Sequence, residues 1–299
     1  MTASQSPAPV RPYGPTVSQL RHRAEMPMLV LGIVLTGIIA LAALALLLSG
    51  IPVDSWATAV LVGLFLPVIS FVYIRYLFWS KISNGVEITP EQFPELHRVY
   101  YDLAVQMGFG SGTGPMSEIP QIYVINGNGM MNAYASKCQL QRGYVVVYSD
   151  IVDLAYVYGD FGALRFIMAH ELGHIKCGHV NLWRNGIQPI LTLLRLSPTL
   201  SRAQEYTADR TASFYAPQDA MKLIALFAGK NLAGKVDTEA YIRSVDRHKN
   251  GFWLRLSNFL SGHAVGFRRM KASAWSGLRG GTSRGRCSEV HPLCGDGHS

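Results

Sequence analysis

Residues 161–180 read FGALRFIMAHELGHIKCGHV. The stretch has helical character, and within it His170-Glu171-Leu172-Gly173-His174 sits mid-run, with apolar Ile167 and Met168 before it and Ile175 after it. Helical spacing sets His170 and His174 one turn apart on one face. Two neutral imidazoles so placed can bind one Zn²⁺. Glu171 is then held beside the metal's open position, where it can take a proton from water and later pass it to a leaving amine. The short pattern HExxH also arises by chance, so its weight depends on what surrounds it.

A catalytic zinc needs a third protein ligand. His179 is one candidate. The longer pattern HExxHxxGxxH would need Gly at 177 and His at 180, where this chain has Cys177 and Val180, so that pattern fails. The other candidate lies in residues 201–210, SRAQEYTADR. Glu205 and Asp209 stand at i, i+4 on a second helix. Glu205 can ligate the metal, and Asp209 can accept the N–H of a ligating histidine and fix its tautomer. Two solvated acids on a helix face are the bland alternative.

Between the N-terminal region and this centre the pattern is mixed. Thr89-Pro90-Glu91-Gln92 has the marks of a helix start, with Thr89 as N-cap, Pro90 at the first helical position and Gln92 two further on. Phe93, Leu96, Tyr100, Leu103 and Met107 follow at helical spacing, and Gly108 to Gly114 ends the pattern. QIYVI (121–125), MNAYASK (131–137) and GYVVVY (143–148) are strand-like, with Ser149 as N-cap of the next helix. Several helices follow Pro198. The order is helix, a few strands, then helices, which predicts an α+β domain rather than repeated βαβ units.

The chain has 299 residues, a formal net charge of +8, 15% charged residues and four cysteines. Its mean hydropathy is +0.17. Low charge with high apolar content excludes intrinsic disorder, and four cysteines without a CxxC pair exclude a disulfide scaffold. The apolar excess is local. Residues 28–49, MLVLGIVLTGIIALAALALLLS, hold no charge, and at ~1.5 Å per residue such a helix matches a bilayer core of roughly 30 Å. A second uncharged run, 55–74, ends in Arg75, Tyr76, Phe78 and Trp79, an interfacial aromatic cluster. The pair is expected to form a transmembrane hairpin of helices 28–49 and 56–78. Arg11, Arg21 and Arg23 before it and Arg75 and Lys81 after it place both ends on the cytoplasmic side. The basic surplus is concentrated in residues 1–27 and 263–299. The folded middle shows no basic face with interleaved aromatics, so no nucleic-acid partner is expected.

HELGH followed by SRAQEYTAD resembles the HtpX-like membrane zinc metallopeptidases, the family that also includes the CAAX prenyl proteases. Ser201-Arg202 and Glu205-Tyr206-Thr207-Ala208-Asp209 match its second motif. The resemblance covers roughly residues 25 to 275 and implies an N-terminal two-helix transmembrane hairpin followed by a mainly helical zincin-type domain with a small β-sheet. It implies one Zn²⁺ per chain on His170, His174 and Glu205, with Glu171 catalytic and Asp209 behind the ligands. Asn132-Ala133-Tyr134-Ala135 resembles the family segment that leads into the substrate-binding edge strand, so Asn132, Ala133 and Tyr134 are expected to bind substrate backbone. His263 and Arg269 resemble the family's His-Pro…Arg segment, with His263 a catalytic candidate that stabilises the oxyanion, although Ala264 replaces the proline.

Family members such as HtpX carry a second membrane hairpin between the metal motifs. Here the apolar piece 187–194 is too short to span and is expected at most to skim the membrane surface. The expected organisation is a cytoplasmic N-terminal tail (1–27), the hairpin (28–79), the metallopeptidase domain (80–275) and a disordered basic tail (276–299). The expected activity is that of a membrane-anchored endopeptidase with its catalytic domain in the cytoplasm, in the plasma membrane of a prokaryote. Polypeptide substrates, misfolded or membrane proteins under quality control, are what the family implies. The rival readings are a catalytically silent membrane adaptor that keeps the fold and a CAAX prenyl protease, which the two-span topology disfavours.

Overall fold

The computed structural model describes residues 14–49, 69, 71–111, 116–137, 143–229 and 231–248. Its helices are α1 (Val17–Leu20), α2 (Glu25–Leu48), α3 over residues 71–82, α4 (Pro94–Gln106), α5 (Ser149–Tyr158), α6 (Gly162–Lys176), α7 (Gln188–Leu193), α8 (Ser197–Tyr215), α9 (Leu223–Leu226) and α10 (Thr238–His248). Four strands complete it: β1 (Gly85–Glu87), β2 (Gln121–Ile125), β3 (Ala133–Lys137) and β4 (Gly143–Tyr148). The domain is mainly helical with one small mixed sheet, as the order of patterns predicts.

The sheet runs β1-β2-β4-β3. β4 pairs parallel with β2, Val145 opposite Ile122, and antiparallel with β3, Tyr134 opposite Val146. The apolar run of β4 follows from cover on both faces. Val145 and Val147 turn to the main core with Leu96, Tyr100 and Leu103 of α4 and Leu164, Met168 and Leu172 of α6. Tyr144 and Val146 turn the other way, to Tyr123, Ile125 and Phe78. Phe78 meets Tyr144 edge-on, ring centroids 4.7 Å apart. The C-terminal end of α3, expected as the close of a membrane span, is therefore docked on the sheet.

The helix expected to start at Thr89 starts four residues later. Thr89-Pro90-Glu91-Gln92 closes on itself as a turn: the Thr89 hydroxyl and carbonyl both accept from the Gln92 N–H, and the Thr89 N–H donates to the Gln92 carbonyl. The turn consumes the capping groups. The second proline, Pro94, then opens α4 behind Phe93, whose φ of 61° is left-handed. Ser149 likewise is the first residue of α5 rather than its cap. Its hydroxyl accepts from the Gly127 N–H, and Tyr148 holds the cap position.

Among the described residues one helix, α2, is long and apolar enough to cross a membrane. Its first turns are docked: Leu29 packs with Ile187, Leu191 and Leu200. From Ile33 onward large apolar side chains, including Val34, Ile38, Leu41 and Leu48, stand exposed. The expected second span falls mostly on residues 50–68, outside the described residues, as do residues 249–299 with His263 and the basic tail. Residues 187–194 lie against α2 through Leu191, while Leu193 and Leu194 are exposed.

Candidate metal centre

The centre is built where α6 crosses α8. On α6, Leu164, Met168, Leu172 and Ile175 recur on one stripe and bind it to the core. Gly173 faces α8. A Cβ at Gly173 would lie 3.1 Å from Thr211 Cβ and 3.4 Å from Ala208 Cα. The missing side chain lets the two helices approach closely enough for Glu205 to reach the histidines. Gly173→Leu should force the helices apart, costing about 1–3 kcal/mol. Thermal unfolding should report that loss, and metal analysis should report a depleted centre.

Three expected ligands converge. His170 Nε2 and His174 Nε2 are 3.1 Å apart. Glu205 Oε2 lies 3.6 Å from the first and Glu205 Oε1 3.7 Å from the second. Tetrahedral ligands at ~2.0–2.1 Å from zinc are separated by about 3.3 Å, so this triangle fits one ion. The chemistry of the donor atoms agrees. His170 Nδ1 is 2.9 Å from Asp209 Oδ1. A carboxylate only accepts, so Nδ1 carries the proton and Nε2 presents a bare lone pair. Two imidazole lone pairs and a carboxylate so close repel one another unless a cation lies among them.

The site is dry. His170, Glu171, Glu205 and Asp209 are all under 9% exposed. Burial, with His170 and His179 alongside, holds the His174 pKa well below the ordinary 6.5. Burial also lowers His179, against the pull of Glu25. Neutral imidazole is the metal-binding form. Because the folded protein resists protonating these rings while the unfolded chain accepts protons, metal-free protein should lose stability as pH falls below about 6.5. Melting temperatures of the chelated protein between pH 7.5 and 5 test this. A melting temperature that rises on acidification would contradict it.

Glu171 lies on α6 between the two histidine ligands and is buried. Asn132 immediately precedes β3. Its carbonyl accepts from the Tyr148 N–H and its Oδ1 accepts from the Ala133 N–H. Ala133 and Tyr134 open β3, which ends the sheet order, and β3 packs beside α6. The segment thus borders α6 from a sheet edge.

Sequence reasoning missed a layer behind His174. Its Nδ1 is 2.9 Å from His179 Nδ1, and His179 Nε2 is 3.1 Å from Glu25 Oε1. His179 therefore lies outside the candidate ligand set: it stands on the side of His174 away from Glu205. The sequence signals were a histidine five positions past the motif and a single acid at the head of an apolar run, four residues after Arg21. Cys177 is buried at the end of α6, and burial pushes its thiol up to about 11, so it stays a protonated, inert thiol.

With this geometry in place, comparison with known proteins is informative. Residues 90–196 match the family model of peptidase family M48, the family of HtpX and the CAAX prenyl proteases. Plastoglobule-localized metallopeptidase 48, chloroplastic, from Arabidopsis thaliana is 25% identical over 202 residues, 59% of this chain and 54% of that protein. The chain thus spans about half the length of the curated relative it matches. No solved structure matches. The matched segment contains α6 with His170 and His174 and stops short of Glu205. Family model and relative together support the family read from the motifs: residues 90–196 are similar to peptidase family M48.

Proposed function

We propose that this chain is a membrane-anchored, zinc-dependent endopeptidase. The observation that carries the reading is the convergence of His170, His174 and Glu205 on one buried point, with Asp209 fixing the tautomer of His170. His170, His174 and Glu205 would hold the ion, which when bound supplies Lewis acidity to the reacting carbonyl. The chain's own residues do the rest. Glu171 accepts the proton of the attacking water and returns it to the departing amine. The edge strand β3, with Asn132, Ala133 and Tyr134, takes the substrate backbone as an added strand, so that an extended polypeptide is the natural substrate. The site's low exposure strengthens each electrostatic contact within it.

The exposed apolar length of α2 beyond its docked first turns supports membrane anchoring: the whole helix, 24 residues, is ~36 Å long against a hydrocarbon core of ~30 Å. The two-helix hairpin, the cytoplasmic face in a prokaryotic plasma membrane, a quality-control role on misfolded or membrane proteins, and an oxyanion contact from His263 belong to this proposal. Casein cleavage by the full-length protein in detergent, with and without chelator, tests the activity. Zinc bound at one per chain without any cleavage would favour the silent adaptor instead.

A further inference from the structure

Both histidine ligands need their Nδ1 proton held so that Nε2 is free for metal. For His170 the holder is Asp209, on the same helix as Glu205. For His174 it is not a neighbouring acid but a relay. If His174 Nε2 faces the metal, its Nδ1 carries a proton and donates across 2.9 Å to His179 Nδ1. His179 Nδ1 must then be the acceptor, so its proton sits on Nε2, which donates across 3.1 Å to Glu25 Oε1. A carboxylate at that end permits only this direction. The reverse order would put a proton on His174 Nε2 and close it to metal.

Glu25 is fully buried and belongs to the first turn of the apolar helix α2, 154 residues before His179. It is held by its own set of partners. Arg21 pairs with Oε1, and the Thr207 hydroxyl donates to Oε2 at 2.7 Å. Arg184 Nη2 stands 3.7 Å from Oε1. Thr207 lies on α8 between Glu205 and Asp209. The Arg21 guanidinium in turn donates to the Cys177 carbonyl at the end of α6. A lone acid buried at the head of an apolar helix is costly unless it is paired in this way. Here the pairing joins α2, α6, α8 and the turn Leu182–Gly186.

We infer that Glu25 is a positioning residue of the metal centre, orienting His174 through His179, so that the head of the apolar helix is a working part of the site as well as its anchor. The inference rests on His170, His174 and Glu205 binding a metal. It ties the orientation of one ligand to a carboxylate carried on α2.

The test is a double-mutant cycle on full-length protein in detergent, reading zinc affinity by chelator competition and the visible spectrum of the cobalt(II) form. Outer hydrogen-bond partners of zinc ligands contribute about 10–100-fold in affinity. Glu25→Ala and His179→Ala should each weaken zinc by that range and alter the cobalt spectrum. The double variant should be no more than about threefold worse than the weaker single one, because both act along one line. Leu29→Ala, which loosens the same helix without touching the relay, should stay within about threefold of wild type.

Independent, multiplying effects of Glu25→Ala and His179→Ala would overturn the inference. So would a loss from Leu29→Ala equal to that from Glu25→Ala, or wild-type affinity in Glu25→Ala. Should Glu25→Ala fail to fold, Glu25→Leu, which keeps the bulk and cannot accept from His179 Nε2, takes its place in the cycle under the same criterion. Wild-type protein that binds no metal would overturn the metal-centre reading itself, a separate failure from an unchanged Glu25 variant.

Discussion

Replacing Glu171 with glutamine should abolish peptide hydrolysis while leaving the metal in place. Glu171 is not among the three converging ligand positions, so the ion keeps its two imidazoles and Glu205. Glutamine matches glutamate in shape but cannot take a proton from water. General-base catalysis contributes about 10²–10⁴-fold, so casein cleavage should fall by at least that factor. Metal analysis of the same sample should still give one zinc per chain. A variant that cleaves like wild type would remove Glu171 from the mechanism. One that loses its metal would make it a structural residue.

Glu205→Ala should have the opposite signature: metal and activity vanish together. Structural zinc sites bind with about 10–16 kcal/mol spread over four ligands. One ligand is then worth roughly 3 kcal/mol, or ~100-fold in affinity at about 1.4 kcal/mol per tenfold. Removing the carboxylate also leaves the two Nε2 atoms, 3.1 Å apart, with no anionic ligand beside them. Asp209→Ala should fall short of this, nearer about 10-fold, the lower end of what outer partners of zinc ligands contribute, because it releases the ring of His170 without removing a ligand. Chelator competition ranks the two. Equal losses would mean that Glu205 acts only from behind the ligands.

The site was legible in the sequence to the extent that it is local. His170 and His174 are joined by one helical turn, and Glu205 and Asp209 by another. Each pair announces itself by spacing, and the crossing of α6 and α8 then brings them together. Gly173 permits that crossing, yet its role depends on Thr211 and Ala208 across the gap, which no local pattern exposes.

The relay behind His174 was not legible for the same reason. His179 and Glu25 are brought together only by the docking of α2, and neither position alone points to the other. The parallel pairing of β2 with β4 is likewise tertiary, since β3 intervenes in the chain. The start of α4 was misread because two prolines compete, and the hydroxyl expected to cap a helix at Thr89 closes a turn instead. Phe78 read as part of an interfacial belt, and its burial on the sheet is decided by Tyr144 and Val146, far along the chain.

The most direct test of the central claim is zinc content and casein cleavage measured together on one preparation of full-length protein, before chelation, after it, and after zinc is restored. One zinc per chain, with cleavage lost on chelation and recovered with the ion, is the predicted result. Cleavage that persists in the metal-free protein, or a protein that never takes up zinc, would contradict a catalytic metal held by His170, His174 and Glu205.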